Sequence, residues 1–575
     1  MLKLMRYLKP YSASVAAILL LVFLQSLSEL YLPTLMADIV DQGIVQGDTG
    51  FIWRMGGLML LVALAGTAGA IITSLLSAKV SAGLGRDLRA MVFARVESFS
   101  LHEFDKFGTA TLITRTTNDI TQVQQVLVMI LRMMLSAPMI CIGGVIMAVS
   151  QDPTLSLVLV VAMPVLVTII ALIAYKGVPL FKAMQVRLDK LNLVVREGLT
   201  GIRVIRAFHR TAHEQERFTD ANRDLMETAI KVNRLMGAMM PLMILMLSLT
   251  SIATIWFGGI RIDGGHMQVG GLMAFLQYVM QIMFALMMVS FMFVMVPRAT
   301  ASAVRISEVL ETEPTLLDAV QPKQPGATRG HVEFRDVTFS YPGAEQPAIS
   351  HISFKAGPGE VTAIIGGTGA GKSTLVSLIP RFYDVDSGAV LVDGVDVREM
   401  SQADLRAKIG FVPQTAMLFS GSVTENIRYG KEDASEDEVR RAAEIAQATE
   451  FISGMKEGYG SELAQGGTNL SGGQKQRLTI ARALVRRPEI YMFDDNFSAL
   501  DFKTDARLRA ALREETAAAT VLIVAQRVNT VVDADRIIVL EEGRVAGIGT
   551  HRELLASCQV YREIVASQLG EEEPA

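Results

Sequence analysis

The sequence has little cysteine and little charge, and both shortages exclude whole classes of protein. Its 575 residues include two cysteines, Cys141 and Cys558. Two cysteines cannot form a disulfide framework, and neither belongs to a metal-ligand spacing. Only 19% of the residues are charged, whereas soluble proteins carry roughly 25%. The 54 basic and 58 acidic residues leave a net charge of −4, so the chain has no basic field with which to bind nucleic acid.

Hydrophobic residues take the place of the missing charges. They make up 50% of the chain, which excludes disorder because disordered chains combine low hydrophobicity with high net charge. Before about residue 310, six apolar stretches reach the roughly 20 residues that a helix needs to cross a bilayer. The sequence predicts membrane spans near residues 13–40, 51–77, 125–150, 154–176, 236–260 and 269–297.

The basic residues predict how these spans are oriented. Lys and Arg are frequent in the N-terminal flank and in the loops at 78–124 and 176–234, whereas the short turns between them hold only Arg261. Because Lys and Arg accumulate on the cytoplasmic side, both termini are expected in the cytoplasm of a multi-pass protein of the cell (inner or plasma) membrane. The basic start could also belong to a signal peptide, but its apolar run is longer than the 7–15 residues of such peptides. An uncleaved first span is therefore favoured.

The two inner loops are predicted to be helical extensions of the spans. Residues 180–206 place apolar side chains at helical spacing with charges between them. The chain would then turn back at HEFDKFGT (102–109) and at FHRTAHEQERF (208–218). The alternative is simple solvated connection, which needs two structureless loops of about 45–60 residues, and such loops are uncommon in compact domains.

The composition changes again after the last span. Residues 311–330 contain Pro314, Pro322, Pro325 and Gly330 without apolar periodicity, as expected of a linker. Short Val/Ile-rich runs then alternate with helical patterns over residues 331–575, which indicates an α/β fold with largely parallel strands. The predicted architecture is an all-α six-span transmembrane domain (1–310), a linker (311–330) and an α/β P-loop nucleotide-binding domain (331–575).

A phosphate-binding loop lies at the first buried strand of this domain. VTAIIG (361–366) predicts the strand, and an apolar helix follows the loop. The loop consists of Gly366, Gly367, Thr368, Gly369, Ala370, Gly371, Lys372, Ser373 and Thr374. Its glycines allow backbone N–H groups to close around phosphates at the positive end of the helix. Lys372 is expected to reach the β- and γ-phosphates of ATP, and Ser373 to hold Mg²⁺. The alternative is an ordinary Gly-rich turn.

A carboxylate supports this assignment. Residues 489–494, EIYMFD, form an apolar run that ends in Asp494. A carboxylate at the end of a strand commonly helps to hold Mg²⁺ beside a phosphate-binding loop. By itself the pattern is weak, but with the loop it predicts a nucleotide hydrolase or switch.

Further along, the sequence resembles the ATP-binding cassette proteins. About 100 residues after the phosphate-binding loop, the chain has a segment that resembles the signature of that family: Leu470, Ser471, Gly472, Gly473 and Gln474. The family's other elements have counterparts in order: Tyr341 in FSYPG, Gln414 in FVPQ, and the D-loop Ser498-Ala499-Leu500-Asp501. Six spans followed by one cassette also resemble an exporter-type half-transporter.

The resemblance implies roles for these residues. Tyr341 would stack on adenine; the alternative is a half-buried strand aromatic. Gln414 would contact Mg²⁺ and couple to the membrane domain, and the D-loop residue Asp501 would lie at the catalytic site. The segment Ser471–Gly473 would grip the γ-phosphate of ATP bound to a second cassette, so two chains are required. The turns at 102–109 and 208–218 would be coupling helices.

Two positions depart from the family pattern. After Asp494 the family usually has Glu as catalytic base, and here the residue is Asp495; the switch histidine expected after VLIVA (521–525) is Gln526. A shorter carboxylate draws the base back by one methylene, and glutamine cannot become cationic as His can. Together these changes predict a degenerate site in a heterodimer, whose partner half-transporter supplies the Glu and the His.

The membrane half indicates the cargo only in outline. Thirteen of the 31 methionines lie between Met236 and Met295; flexible thioethers suit varied apolar ligands, although they also suit ordinary helix packing. Glu29 lies in an apolar span, where it either faces a cavity that attracts cationic cargo or makes a local hydrogen bond. The sequence thus predicts an ATP-driven exporter of amphipathic, multidrug-like compounds. A lipid flippase and a regulatory ATP-binding partner of another membrane protein remain open.

Overall fold

The computed structural model describes residues 2–569 except Pro325, Ala327, Thr328 and Ala499. The chain divides into two compact units. The first comprises residues 1–97 and 109–312, and the second comprises residues 98–108 and 313–575. The boundary after residue 312 lies close to the predicted start of the linker, but the segment 98–108 was expected in the membrane domain and instead packs with the second unit.

The first unit is built from six long helices, as predicted. They are α1 (Lys3–Ile44), α2 (Thr49–Glu97), α4 (Thr109–Gln151), α5 (Leu157–Thr200), α7 (Thr211–Asp263) and α8 (Val269–Glu311). Two short helices follow α2 and α5 in the chain, namely α3 (Leu101–Phe107), which belongs to the second unit, and α6 (Ile202–Ala207). Six helices of the described chain are long and apolar enough to cross a membrane, which confirms the predicted spans.

Three of these helices have 44 to 53 residues, well beyond the roughly 20 needed to cross a bilayer. The inner loops are therefore helical extensions, as predicted. Residues 102–107 of the first predicted turn (102–109) belong to α3. The second was placed too late: the chain turns back at residues 201–210, and residues 211–218 already belong to α7. Gly201 and His209 (φ 53°) interrupt the helical pattern at this turn.

Buried and half-buried polar contacts join the helix ends of the first unit. At the turn before α5, the Asp152 carboxylate accepts hydrogen bonds from the backbone N–H groups of Thr154 and Leu155 and from Arg261 Nε at 2.6 Å. The Asp41 carboxylate accepts the backbone N–H groups of Gly270 and Gly271 at the start of α8, where the helix dipole favours a negative charge.

The second unit contains three β-sheets. Its strands are β1 (Val332–Phe339), β2 (Ile349–Ala356), β3 (Val361–Gly366), β4 (Ser387–Val392), β5 (Val395–Asp396), β6 (Ile409–Val412), β7 (Gly421–Ser422), β8 (Glu462–Leu463), β9 (Ile490–Asp494), β10 (Thr520–Val524), β11 (Arg536–Glu541) and β12 (Arg544–Gly549). The six-stranded sheet has the order β12-β11-β3-β10-β9-β6 and is parallel except for β12. The four-stranded sheet, β2-β1-β4-β5, is antiparallel, so the prediction of parallel strands holds only for the larger sheet.

Helices cover the larger sheet. Those of the second unit after β3 are α9 (Lys372–Leu378), α10 (Gln402–Ala407), α11 (Val423–Arg428), α12 (Glu436–Ile445), α13 (Thr449–Ser453), α14 (Gly472–Leu484), α15 (Phe502–Glu515), α16 (Val528–Val531), α17 (His551–Ser557) and α18 (Gln559–Leu569). Strands β9 and β10 are buried along their whole length, because a parallel sheet has both faces covered. Alternate side chains of β3, β9 and β10 consequently belong to two separate hydrophobic cores.

The linker forms neither helix nor strand between α8 and β1 in its described residues. It is nevertheless held to the second unit, since Lys323 donates to the Glu399 carboxylate at 2.8 Å and Asp318 accepts from Gln402. Pro325, one of the prolines on which the linker prediction rests, lies outside the described residues.

Candidate functional site

The phosphate-binding loop, the carboxylates Asp494 and Asp495, and the glutamines Gln414 and Gln526 meet at one edge of the six-stranded sheet, whereas the signature residues 470–474 lie at the start of α14. Parallel strands end at the same edge, and that edge is where α/β sheets bind ligands. Strand β3 ends at Gly366, β9 at Asp494, β10 two residues before Gln526, and β6 two residues before Gln414. Residues separated by more than a hundred positions in the sequence are thus brought together by the register of four neighbouring strands.

The phosphate-binding loop runs from β3 into α9. Gly369 and Gly371 have φ values of 83° and 89°, a backbone region that favours glycine. A Cβ on Gly371 would meet Ala348 O at 2.7 Å, so only glycine fits there. Lys372 is buried, and its Nζ donates to the carbonyls of Gly366 and Gly367 at 2.8 and 2.7 Å. The ammonium group therefore lies over the loop, where a phosphate can replace the two carbonyls.

The charges around Lys372 oppose one another. Burial lowers the pKa of Lys372, whereas the carboxylates of Asp495 and Asp494 raise it. Burial raises the pKa of Asp494 in turn, while a hydrogen bond from Ser373 lowers it. The site therefore buries one cation with two carboxylates, so an anionic ligand can pair with Lys372 and a divalent cation with the carboxylates.

Ser373 and Asp494 form an oxygen donor pair. The Ser373 hydroxyl donates to Asp494 Oδ1 at 2.9 Å. A hydroxyl and a carboxylate are ligands that suit Mg²⁺, which usually binds one or two protein groups together with nucleotide phosphates and waters. The described residues contain no cluster of three or more His, Cys, Asp or Glu that could hold a metal ion alone, so these residues fit a nucleotide-bound Mg²⁺ rather than an all-protein metal site.

Asp495 is held by two side-chain amides. Gln526 Nε2 donates to Asp495 Oδ2 at 2.7 Å, and Gln414 Nε2 lies 3.4 Å from the same oxygen. Asp495 is buried, with a φ of 51°. Burial raises the pKa of Asp495, and the hydrogen bond from Gln414 lowers it. The structure thus places the two residues that depart from the family pattern, Asp495 and Gln526, in direct contact.

Tyr341 lies in the loop after β1 and is 38% exposed. Its hydroxyl is 3.0 Å from the Thr374 hydroxyl, and its ring packs edge-on against Phe339 and Tyr383. The ring is therefore attached to the start of α9, beside the phosphate-binding loop. It is not part of the strand, which ends at Phe339.

The signature residues begin helix α14. The Ser471 hydroxyl accepts the backbone N–H of Gln474, and the Gln474 side chain accepts the backbone N–H of Ser471 at 2.9 Å. This capping box uses the N–H groups of Ser471 and Gln474, which leaves those of Gly472 and Gly473 at the N-terminus of the helix for an anion. A Cβ on Gly472 would meet nothing within 4 Å, and Leu470 packs against the core behind it.

Asp501 of the predicted D-loop has a local role. Its carboxylate caps α15 by accepting the backbone N–H of Thr504 at 2.9 Å. This hydrogen bond lowers the pKa of Asp501. Ala499 of the same predicted loop lies outside the described residues. Asp501 is therefore a helix cap, and a catalytic role for it stays a prediction.

Sequence reasoning missed three residues of the site. The buried Asn496 donates to Pro413 O at 2.8 Å and so ties β9 to the segment that carries Gln414. Arg527 donates to Ser498 O at 3.0 Å. Gln568 of α18 bonds to the backbone of residues 526 and 528. Asn496 and Arg527 flank residues singled out by motif, which could have drawn attention to them, whereas nothing in the sequence distinguishes Gln568.

Two family models match the chain. One describes the ABC transporter transmembrane region and matches residues 15–286. The other describes the ABC transporter and matches residues 349–498. The second match falls within the second structural unit, and the first match covers most of the first unit together with the segment 98–108 of the second.

Related proteins cover nearly the whole chain. An uncharacterized ABC transporter ATP-binding protein of Mycobacterium tuberculosis is 45% identical over 98% of this chain and 97% of its own length. A fatty acid ABC transporter ATP-binding/permease protein of Mycobacterium bovis is 34% identical over 83% of this chain and 75% of its own. An ATP-dependent lipid A-core flippase of Chromobacterium violaceum is 30% identical over 99% of this chain and 97% of its own length.

A solved structure extends the likeness to the fold. The structure of a bacterial Atm1-family ABC exporter with ATP bound has a TM-score of 0.81 with this chain. It shares 26% sequence identity, and the match covers 98% of this chain and 99% of that one.

Proposed function

This chain belongs to the ABC transporter family, and we propose that it is the degenerate-site subunit of a heterodimeric exporter for amphipathic or hydrophobic compounds. An exporter of this family carries six membrane helices and one ATP-binding cassette on each half, as this chain does. Its ATP-binding cassette hydrolyses ATP to drive transport. The direction, cargo class and subunit asymmetry are the proposed parts.

The proposed difference between the two ATP sites of the heterodimer rests on one observation. Gln526 and Asp495 are joined by a 2.7 Å hydrogen bond. Asp495 is shorter than the Glu that the family pattern places there, and Gln526 is less basic than the His. A base acts only within hydrogen-bond reach of the proton that it takes. Asp495 is short by one methylene, and the glutamine that holds it has no cationic form. We therefore assign slow hydrolysis to this site and fast hydrolysis to a partner's.

ATP and Mg²⁺ fit the residues at the sheet edge. The backbone of residues 366–371 and Lys372 would hold the phosphates, Ser373 and Asp494 would hold Mg²⁺ together with the amide oxygen of Gln414, and Tyr341 would stack on the adenine. Bound ATP supplies the free energy that moves the membrane helices. The N–H groups of Gly472 and Gly473 at the start of α14 would then complete the partner's site and not this one.

The cargo proposal rests on the first unit and on the relatives. A cavity of about 780 Å³ lies between α1, α2 and α4, with mostly apolar walls and with Gln25, Ser28 and Tyr31 as polar members. Such a lining suits an amphipathic compound. Two relatives named above act on lipids according to their names, a fatty acid transporter and a lipid A-core flippase. A lipid flippase is therefore the second candidate function.

Glu29 is close to this cavity but has a local partner. Its carboxylate accepts a hydrogen bond from Gln25 Nε2 at 2.9 Å, and its backbone carbonyl accepts one from Gln281. This favours the local hydrogen bond over a free carboxylate that attracts cationic cargo. The methionines support neither alternative, because Met243 and Met283 are buried whereas Met240 and Met280 are exposed.

Cytoplasmic termini and coupling complete the proposal. The segment 98–108, with α3, packs with the cassette: Ser100 and Thr315 hydroxyls are 3.1 Å apart, and Tyr383 donates weakly to Asp105 at 3.4 Å. A connection between two membrane helices that packs with the cassette is positioned to transmit its movement, as a coupling helix does. With the cassette in the cytoplasm, six spans would place both ends of the chain there as well.

The test is to purify the chain alone and with its native partner and to measure ATP turnover in lipid vesicles. We expect slow turnover alone and fast turnover in the complex, with movement of fluorescent lipids or of cationic drugs across the vesicle membrane. Rapid, cargo-stimulated hydrolysis by the isolated chain would refute the asymmetric proposal. Stimulation by lipids but not by drugs would select the flippase, and normal cargo movement after the cavity is filled by bulky side chains would favour a regulatory partner.

A further inference from the structure

The last helix of the cassette borders the nucleotide site. Helix α18 is anchored by Tyr561, which is fully buried and whose hydroxyl lies 2.8 Å from His551 Nδ1. Ile564 packs against the hydrophobic core. The helix also lines, with Gly367–Ala370 of the phosphate-binding loop, a cavity of about 420 Å³. One turn beyond Ile564, the anchored helix brings Gln568 to the loop after β10.

The side chain of Gln568 bonds to both ends of residues 526–528. Its Oε1 accepts the backbone N–H of Val528 at 2.8 Å, and its Nε2 donates to the backbone carbonyl of Gln526 at 2.8 Å. A glutamine amide carries one acceptor and two donors on one planar group, so it satisfies an N–H and a carbonyl together. The two hydrogen bonds from α18 therefore fix the backbone of residues 526–528.

Residues 526–528 are also connected to the carboxylate of Asp495. Gln526 Nε2 donates to Asp495 Oδ2 at 2.7 Å, and the neighbouring Arg527 donates to Ser498 O at 3.0 Å. Ser498 in turn donates to the Asp495 carbonyl at 3.1 Å. Any rotation of the 526–528 backbone would therefore displace the amide that holds the Asp495 carboxylate.

We propose that Gln568 is a positioning residue for ATP hydrolysis at this chain's site, acting through the backbone of residues 526–528 and the Gln526 amide to orient Asp495. The inference rests on the proposed role of Asp495 as the base of this site. It adds that the C-terminal helix controls that site, although the helix carries no recognisable motif.

The effect of losing Gln568 on kcat is expected to be moderate, because Gln568 acts on Asp495 only through other residues. Gln568 bonds to the backbone of Gln526 and Val528 and not to Asp495, so its loss removes orientation but leaves the carboxylate in place. Misplacing a catalytic group by about 1 Å costs up to about 100-fold in rate, and a loop that keeps its other hydrogen bonds shifts by less. We expect about a 3- to 10-fold lower kcat, with the KM for ATP unchanged because the phosphate-binding loop is untouched.

The experiment compares two glutamines of the same helix. Gln568→Ala removes both bonds to residues 526–528, whereas the control Gln559→Ala removes only a bond to Glu563 on the surface. Both variants are made in the full chain, within its complete transporter, with the partner's own site inactivated so that only the Lys372 site turns over. Hydrogen–deuterium exchange of residues 526–530 and the kcat and KM for ATP are then measured.

The expected result has three parts. Exchange at Val528 rises in Gln568→Ala but not in Gln559→Ala. The kcat falls as estimated in Gln568→Ala alone. Gln526→Ala combined with Gln568→Ala lowers kcat no further than Gln526→Ala does, because the two residues act in series. Gln568→Glu, which keeps the acceptor for Val528 but loses the donor to Gln526, gives an intermediate kcat.

Three results overturn the proposal. Unchanged exchange means that the contact does not hold the loop in solution. Raised exchange with an unchanged kcat means that the contact is structural only, and additive effects of the two substitutions mean that Gln568 acts by another route. Failure of the underlying proposal is recognised separately: if Asp495→Asn leaves this turnover unchanged, Asp495 is not the base, and the positioning role falls with it whatever the exchange data show.

Discussion

The two units of this chain use apolar side chains in opposite ways. In the cassette, the apolar residues of β9 and β10 are buried on both faces of the sheet, and polar residues gather at its edge. In the membrane unit many large apolar side chains point outward, Trp53 and Val160 among them at 82% and 65% exposure, while polar groups such as Asp152 are buried. Water surrounds the cassette and lipid surrounds the membrane unit, so apolar side chains are buried in the cassette and polar groups are buried in the membrane unit.

This difference teaches where single substitutions should be costly. Between membrane helices there is no hydrophobic driving force from water, so packing and buried polar contacts hold the helices together. In the cassette the hydrophobic cores provide the stability, and the polar edge is free to perform chemistry. We therefore expect polar substitutions to affect stability in the membrane unit and catalysis in the cassette.

The largest effect is expected from Arg261→Ala in the membrane unit. The substitution leaves the Asp152 carboxylate, only 2% exposed, without its cation. Breaking a buried ion pair from one side costs about 3–5 kcal/mol, and partial exposure of Arg261 places the cost near the lower end. The measurement is the midpoint of thermal unfolding in detergent. ATP binding by the protein that remains folded should be normal.

Two matched variants accompany this measurement. Arg54→Ala, which removes an exposed arginine of the same unit, should change the midpoint little. Adding Asp152→Asn to Arg261→Ala removes the unpaired charge and should recover part of the loss. If Arg54→Ala destabilises the protein as much as Arg261→Ala does, the buried pair has no special role.

Lys372→Ala should have the next largest effect, this time on ligand binding and not on stability. It removes the ammonium group that lies 2.7–2.8 Å from the carbonyls of the phosphate-binding loop. Hydrogen bonds to charged groups contribute about 1.5–3 kcal/mol, which corresponds to roughly 10- to 150-fold weaker binding of ATP. Titration with a fluorescent ATP analogue checks this, and the exposed Lys456→Ala serves as control. Unchanged affinity would contradict the assignment of the loop.

Ser471→Ala should have a smaller effect that appears at the partner's site. The variant loses a helix cap, which costs about 1 kcal/mol, and one group that faces the partner's ATP. Ser435→Ala loses the same kind of capping box at the start of α12 and controls for the cap alone. We expect roughly tenfold slower ATP turnover of the complete transporter for Ser471→Ala only. Equal turnover in both variants would refute a shared site.

Asp495→Asn should have the smallest effect on the complete transporter. If hydrolysis at this chain's site is slow, its loss changes total turnover by less than about twofold, whereas general-base catalysis at the partner's site is worth about 10²- to 10⁴-fold. Steady-state ATPase activity of the two variants, Asp495→Asn and removal of the partner's carboxylate, gives the comparison. A large loss from Asp495→Asn would place the faster site on this chain.

Motifs with a fixed local geometry could be predicted well from the sequence. The glycines of residues 366–371 and the charge of Lys372 need only their immediate neighbours to form an anion site, and the structure places them at the end of β3 as expected. The six spans were predictable for a similar reason, because a bilayer requires about 20 apolar residues in every helix that crosses it. Neither prediction depends on a distant part of the chain.

Other features depend on contacts between distant residues, and the sequence did not reveal them. The antiparallel four-stranded sheet was missed because short Val/Ile-rich runs do not record which strand pairs with which. The second turn was placed too late because the polar residues 211–218 suit a solvated helix as well as a turn. Segment 98–108 was assigned to the membrane domain by its place in the chain, whereas its packing joins it to the cassette.

The sequence by itself therefore determined the composition of each unit, the number of membrane spans and the residues that can bind phosphate, since hydrophobic length and backbone geometry are properties of neighbouring residues. Only the tertiary structure decided that Gln526 holds Asp495 and that Gln568, 42 residues further along, bonds to Gln526. Those contacts exist because the sheet register aligns β9 with β10 and because Tyr561 anchors the last helix. A hydrogen bond between side chain and backbone requires correct placement within a few tenths of an ångström, and that placement is a property of the whole packed cassette.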